Sequence, residues 1–379
     1  MEIHSLLLIF LGKYRKKEKN LLVVDIQAIG DAIMVSPILK NIRKNIPDEC
    51  MIDIVCSSIQ KPVYERFREI NNIYTIQSFE EYFLAHRKKF LGRDFYKIQY
   101  SFYVLIFVLD NLINKYSTII EPRWEEDTVY TSILVMLTGA PNRYGFSEKV
   151  NKNKARRNFW RNKYFTKCFL HNAACFEGKK FLDLIEDIGY NIYTDKIELL
   201  YNKDKPYNKM WGRYVVFALD TSDNRKEWDC NNHVTVAHHL INKGLSVVLL
   251  GVKKEYGDYV LSKVDNDKCF NYVGRTSLSE AIDIIGNSDF YVGCDTGLSH
   301  IAGAVGTNGI VIFPSSKLEN PESVSSVTRM RPSGNIIVVQ PELPLYPCTN
   351  DCISKGMAHC INQVKPKKVI EIIEESFKL

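Results

Sequence analysis

An alternation of short apolar strands with helical stretches begins at Leu21, gives way to a polar segment, and begins again at Tyr214. In the first run, the strand Leu21 to Asp25 leads into a helical pattern from Ala32 to Asn45. Strands from Met51 to Cys56 and from Thr118 to Glu121 follow. The second run has strands at 214–219, 246–251, 290–294 and 309–313, with helical patterns at 234–243, 278–286 and 299–305 between them. Such alternation makes parallel sheets with helical crossovers. A chain of 379 residues is also too long for one ordinary core. The expected fold class is therefore α/β, with two Rossmann-like, doubly wound parallel-sheet domains facing a central cleft. The expected boundaries are an N-terminal extension at 1–19, a first domain at 20–205 and a second at 206–379, with the polar segment from Tyr201 to Lys209 as the linker. The apolar run from Phe102 to Leu109 reads as a core helix, and Lys367 to Phe377 as a terminal amphipathic helix.

Composition narrows the function classes. The net charge of +6 is mild and dispersed, so it argues no nucleic-acid partner. Most of the ten cysteines stand alone on apolar stretches, the usage of a reducing compartment, which gives a cytoplasmic expectation. No stretch reaches the roughly 20 apolar residues of a membrane span. The run Leu6 to Leu11 lacks the flanks of a signal peptide. With the basic Lys13 to Lys17 behind it, the run reads either as a segment lying on a membrane surface or as a short helix packed on the domain.

Four short elements can carry chemistry. In Phe290 to His300 a strand ends in the turn Asp295-Thr296-Gly297 and a helix starts at once. Gly297 permits a sharp turn and a close backbone approach. The new helix offers N–H groups and a favourable dipole to a diphosphate, while Thr296 and Ser299 add hydroxyl donors and His300 a charged one. An ordinary helix cap formed by Asp295 explains the same residues. Lys226, in the loop after the first strand of the second run, can offset phosphate charge or lie solvated at the surface. Glu255 follows a strand end, where carboxylates often hold ribose hydroxyls. Asp31, after Ile29-Gly30, is placed either to act as a general base or to cap a helix. No Gly-x-Gly-x-x-Gly follows either opening strand, which disfavours a dehydrogenase.

In their order along the chain these elements resemble glycosyltransferase family nine, the ADP-heptose:lipopolysaccharide heptosyltransferases. The resemblance rests on Asp295-Thr296-Gly297-Leu298-Ser299-His300, on Leu22 to Asp31 with Ser36 to Leu39, on Lys226-Glu227-Trp228, and on Gly139 to Phe146. It implies a GT-B fold and an inverting, metal-independent transfer that needs no cofactor. The donor would be an ADP-sugar, ADP-heptose foremost. The acceptor would be the lipopolysaccharide core or a lipid-linked saccharide, met at the cytoplasmic face of the inner membrane. By matching position, Asp31 would be the base, and Lys226, Asp295, Thr296, Gly297, Ser299 and His300 would surround the diphosphate. Glu255 would bind the adenosine ribose. Another nucleotide-sugar, a protein acceptor such as an autotransporter, and a non-catalytic sugar-nucleotide-binding protein remain as rival readings.

Two further features stand apart. Between Lys149 and Lys167 lie eight lysines and arginines and no acid, interleaved with aromatics. Arg156, Arg157 and Arg161, with Arg143 upstream, are candidates to grip acceptor phosphates or an anionic surface, against the reading of a solvated loop. Cys348, Cys352 and Cys360, with His359 adjacent, form a loosely spaced set that suits either free thiols or a structural metal.

Overall fold

The computed structural model describes residues 19–77, 79–86, 93–264, 267–323, 326–346, 348 and 359–376. All but the last residue of the expected N-terminal extension lies outside the described residues, as does Cys352. The chain divides into two compact units. The first holds the chain to Ala173 together with Gly178–Lys196, and the second holds Ala174–Glu177 and everything from Ile197.

The first unit is built on six strands: β1 (Leu21–Asp25), β2 (Ile52–Cys56), β3 (Asn72–Thr75), β4 (Thr118–Glu121), β5 (Asn142–Phe146) and β6 (Lys167–Phe169). Their order is β3-β2-β1-β4-β5-β6 and every pairing is parallel, with Leu21 opposite both Ile52 and Thr118. Strands β1 and β2 are buried along their whole length. That is why they read as continuous apolar runs, since helices cover both faces of a parallel sheet. The edge strand β3 reads Asn-Ile-Tyr-Thr, with both ends exposed, and gave no apolar run to find.

The longer helices of this unit are α1 (Ile29–Asn45), α2 (Phe79–His86), α3 (Arg93–Asn111), α4 (Thr131–Leu137) and α5 (Glu177–Ile188). Helix α3 contains the run expected to be a core helix, and only half of that expectation holds. Tyr96, Tyr100, Val104 and Val108 enter the core, whereas Phe102, Ile106 and Leu109 point to solvent. An unbroken apolar run carries no polar face to show which side is out.

The second unit repeats the design with β7 (Tyr214–Ala218), β8 (Ser246–Leu250), β9 (Cys269–Asn271), β10 (Phe290–Cys294), β11 (Gly309–Ile312) and β12 (Ile336–Val339). Its order, β12-β11-β10-β7-β8-β9, is the first sheet's order applied to its own strands. Helices α6 (Cys230–Asn242), α7 (Lys254–Val264), α8 (Leu278–Gly286), α9 (Gly297–Ala304) and α10 (Pro366–Ser376) accompany it. Val369 and Ile373 of α10 join this unit's core, and Glu374 pairs with His239 of α6 and with Lys243, the residue that follows that helix.

The polar segment expected to be a linker is tied to this unit. Leu199 N–H donates to Ala304 O at 2.9 Å, and Asn202 N–H to the Asp283 carboxylate at 2.9 Å. The boundary between the units therefore falls at Lys196/Ile197 rather than 205/206.

Inside the second core, His233 lies against Trp228 and Phe217, with both ring nitrogens lacking a hydrogen-bond partner among the described residues. Burial pulls its pKa from 6.5 down to about 4, and burial does the same to His300. Above pH 6.5 both rings are neutral in the folded and unfolded chain, so neither affects stability. Below 6.5 the unfolded chain takes up protons that the folded rings refuse until about pH 4, so stability falls across that window. At pH 5 each ring costs about 2 kcal/mol. Urea melts at pH 7.5 and 5.0 should show His233→Leu losing about 2 kcal/mol less than the parent on acidification. Equal losses would contradict the burial argument.

Candidate functional site

In an open α/β sheet, ligands bind outside the carboxyl ends of the strands where the order reverses. That point lies between β1 and β4 in the first unit and between β7 and β10 in the second. Asp31 lies at the first of these places, and Lys226 and the turn from Asp295 lie at the second.

At the first, the loop Ile26–Ala28 leaves β1 and α1 starts at Ile29. Asp31 sits in the first turn, half-buried, with its Oδ2 accepting the Ala28 N–H at 3.1 Å. Asp31 thus helps to cap α1, and it also lines a cavity of about 450 Å³. Ile26, Ser57, Glu81, Arg123 and Glu125 line it too. The loop beneath Asp31 is fixed by a buried polar cluster. Gln60 Nε2 donates to Asp25 Oδ2 at 2.9 Å and to Ala28 O at 3.3 Å, while its Oε1 accepts from Gln27 N at 3.3 Å and Ser57 N at 3.1 Å. Tyr64 Oη also donates to Asp25, whose carboxyl is pushed above its ordinary value by burial despite these donors. Arg123 Nη1 donates to Ile26 O at 2.8 Å and so joins the ends of β1 and β4.

Sequence reasoning missed Gln60, Tyr64 and Arg123, because none stands in a motif and each acts through a partner distant in sequence. The arginines it named lie elsewhere. Arg143 donates to Tyr164 O at 2.8 Å, Arg157 pairs with Glu126 at 2.8 Å, and Arg156 is exposed. None of these lines the cavity.

Arg161 needs a correction. It is fully buried, paired with Glu121, donating to Phe146 O at 3.0 Å and packed 4.3 Å from the Phe165 ring centroid. Lys154 is likewise buried, donating to Arg123 O and Trp124 O. Two of the eight cations in the basic stretch therefore belong to the core, and β6 runs through its end. Phe165 is buried as well, although Phe159 stays exposed.

At the second unit's reversal point, Lys226 Nζ meets Asp295 Oδ2 at 2.6 Å, joining the loop after β7 to the turn after β10. Asp295 is almost wholly buried, while Lys226 remains partly open. Asp295 is not the helix cap. Thr296 is, its Oγ1 accepting the Leu298 N–H at 3.1 Å. Gly297 is the first residue of α9 and is not among the glycines with positive φ. What glycine provides there is the absence of a side chain, not a left-handed turn.

Two expected donors are corrected. Ser299 is fully buried and donates back to Cys294 O, with Tyr291 Oη at 2.9 Å. Its hydroxyl therefore locks the strand–helix corner. His300, with its lowered pKa, is neutral at pH 7 and offers an uncharged donor rather than a cation.

The acidic loop before Trp228 is neutralised from within. The Asp220 carboxylate, seated where a Cβ on Gly251 would collide with it, accepts Val252 N–H at 2.7 Å and Lys253 N–H at 2.8 Å. Asp223 is bound by Arg225, which holds its carboxyl below the ordinary range. Glu227 is buried and receives Lys253 Nζ and Tyr256 Oη. Trp228 Nε1 donates to Val364 O at 2.8 Å, fixing the loop to the core. Glu255 lies exposed in the first turn of α7, after β8.

A third cluster joins Cys348, His359 and Cys360. His359 Nδ1 lies 3.7 Å from Cys348 Sγ and 3.6 Å from Cys360 Sγ, and one atom of each residue falls within 4.8 Å of the others. Both cysteines are buried, and Leu345 N–H points at Cys360 Sγ from 3.3 Å.

Residues 114–330 match glycosyltransferase family 9 (heptosyltransferase), and the chain belongs to that family. It is similar to the lipooligosaccharide heptosyltransferase 2 of Haemophilus influenzae, 32% identical over 112 residues, which cover 28% of this chain and 32% of that protein. The match therefore spans only about a third of that relative's length. The lipopolysaccharide heptosyltransferase 3 of Escherichia coli is 24% identical over 305 residues, covering 75% of this chain and 80% of that one. Among solved structures, the E. coli heptosyltransferase WaaC with ADP superposes with a TM-score of 0.69 at 15% identity, over 94% of this chain and 99% of that one. The likeness establishes the GT-B fold class.

Proposed function

We propose that this chain is an inverting glycosyltransferase that moves heptose from ADP-heptose to a lipopolysaccharide inner-core acceptor without a catalytic metal. The observation that carries the reading is Lys226, held at 2.6 Å by Asp295 across the reversal point of the second sheet, beside the start of α9. A cation there, with helix N–H groups behind it, suits a diphosphate. Asp295 orients Lys226 rather than touching the phosphates, since a buried carboxylate would repel them. Thr296, Gly297 and neutral His300 complete the diphosphate end, and Glu255 binds the ribose.

In the transfer, Asp31 takes the proton of the acceptor hydroxyl as its oxygen attacks the anomeric carbon from the face opposite the diphosphate. The bond from that carbon to the diphosphate oxygen breaks, ADP leaves with its added charge, and the configuration inverts. Lys226 and the helix start stabilise that charge, the work a divalent ion does in other transferases. The relatives are named as lipooligosaccharide or lipopolysaccharide heptosyltransferases and one solved structure holds ADP, which supports the choice of donor and acceptor. The proposed location is the cytoplasm, peripheral to the inner membrane. No helix among the described residues is long and apolar enough to cross a membrane.

Thermal unfolding against ADP, UDP, GDP and CMP tests the donor assignment. ADP at 100 times its Kd should add about 2.7 kcal/mol, a rise of several degrees, and Lys226→Ala should lose most of it. A rise with UDP or GDP alone would overturn the assignment.

The cysteine–histidine cluster is structural in this reading. In a tetrahedral zinc centre with bonds of about 2.0–2.3 Å, ligand atoms lie about 3.5–3.8 Å apart, and the two measured sulfur–nitrogen distances fall in that range. A backbone N–H directed at a ligating sulfur is a common outer-shell partner. Elemental analysis of the purified full chain should find about one equivalent of metal, lost in Cys360→Ser. Metal-free protein with parental stability would end this assignment.

A further inference from the structure

Gln60, in the loop after β2, is fully buried, and its side-chain amide reaches into the loop that leads to Asp31. Its Nε2 donates to Asp25 Oδ2 at 2.9 Å and to Ala28 O at 3.3 Å. Its Oε1 accepts the Gln27 N–H at 3.3 Å, the Ser57 N–H at 3.1 Å and the Ser57 hydroxyl at 3.0 Å. A carboxamide has two N–H donors and two lone pairs, so this one is fully used. Its orientation is fixed as well. Turned over, its oxygen would face the Asp25 carboxylate and its NH₂ group would face two backbone N–H donors.

The bonds of this amide converge one peptide away from Asp31. Gln60 holds the carbonyl of Ala28, and the N–H of the same Ala28 donates to Asp31 Oδ2 at 3.1 Å. Gln27 N–H rests on the Gln60 amide and Ile26 O on Arg123, so each residue from Ile26 to Ala28 is anchored through its backbone. Gln27, Ala28, Asp31, Ser57 and Ile59 line the cavity, whereas Gln60 does not. Gln60 therefore acts on the place where the Asp31 carboxylate is held. A misplacement of about 1 Å at a reacting group can cost about 10²-fold in rate.

We propose, on the reading of Asp31 as the base, that Gln60 is a positioning residue for the transfer: its buried amide clamps the loop Ile26–Ala28 so that the Asp31 carboxylate meets the acceptor hydroxyl. Both loops that the amide joins border the cavity, and the substitution of Gln60 leaves its other charged lining groups, Glu81, Arg123 and Glu125, in the chain.

The test is a double-mutant cycle on the full chain, read in kcat for the proposed heptose transfer from ADP-heptose. Gln60→Met, similar in volume but without the amide, should lower kcat by about 10- to 100-fold. KM for ADP-heptose and the thermal shift with ADP should stay at their parental values, because the proposed donor site belongs to the second unit. In the Asp31→Ala background the same substitution should change kcat by less than about twofold, since a residue that works through Asp31 then has nothing left to position. An equal drop in both backgrounds would overturn the proposal and leave Gln60 as a general support of the fold. So would parental kcat in Gln60→Met where Asp31→Ala is slow, or a rise in acceptor KM alone. Transfer by Asp31→Ala near the parental rate would remove the base assignment and the proposal with it, a separate failure read in a separate variant. Where Gln60→Met does not fold, Gln60→Asn, whose amide is a methylene short of its partners, enters the same cycle and is held to the same outcomes.

Discussion

Asp31→Ala should lower kcat for the proposed heptose transfer by about 10²- to 10⁴-fold, the usual contribution of a positioned general base, the role proposed for Asp31. The thermal shift produced by ADP should stay at its parental size, because Asp31 belongs to the first unit and the proposed donor site to the second. A second consequence has to be separated from the first. Asp31 accepts the Ala28 N–H in the first turn of α1, so losing it should also cost about 0.5–2 kcal/mol of stability. Asp31→Asn keeps an oxygen for that N–H but cannot take a proton at neutral pH. It should therefore restore the stability and not the rate. Transfer by Asp31→Ala within threefold of the parent would remove Asp31 from the chemistry and leave it as a cap.

The other large effect is on folding. Arg161→Ala should destabilise the first unit by about 3–5 kcal/mol in a urea melt, because it leaves the Glu121 carboxylate buried without its charge partner. Thr131 Oγ1, at 2.6 Å from Glu121 Oε1, donates one hydrogen bond but no charge. Arg156→Ala and Arg157→Ala, at exposed positions, should each stay within about 1 kcal/mol of the parent. Replacing both partners, as in Arg161→Met with Glu121→Leu, should recover most of the loss, since the cost lies in the unpaired charge. A stable Arg161→Ala variant with a raised acceptor KM would instead return this arginine to the acceptor site.

These two residues mark where sequence reasoning succeeds and where it stops. Asp31 could be read because its position follows from local rules: a strand ends, a short loop turns, and a helix begins within a few residues. The same holds for Lys226 and for the turn from Asp295 to Gly297. Arg161 could not be read, because a cation in a basic stretch has the same sequence appearance whether it meets water or a buried glutamate 40 positions away. Ser299 and His300 fall between. Their place at a helix start was local information, while the burial that turns the hydroxyl inward and keeps the imidazole neutral comes from Tyr291, Cys294 and the surrounding core.

By itself the sequence determined the two runs of alternating strands and helices, the loops after their strands that carry Asp31 and Lys226, and the family resemblance. Each depends on residues close together along the chain. Only the tertiary structure decided that Asp295 serves Lys226, that Gln60 and Arg123 hold the loop beneath Asp31, and that Arg161 is a core ion pair. It also decided which of α3's two apolar faces meets solvent. Hydrogen bonds, ion pairs and burial are properties of distance in space, and a parallel sheet brings together strand ends that lie tens of residues apart in sequence.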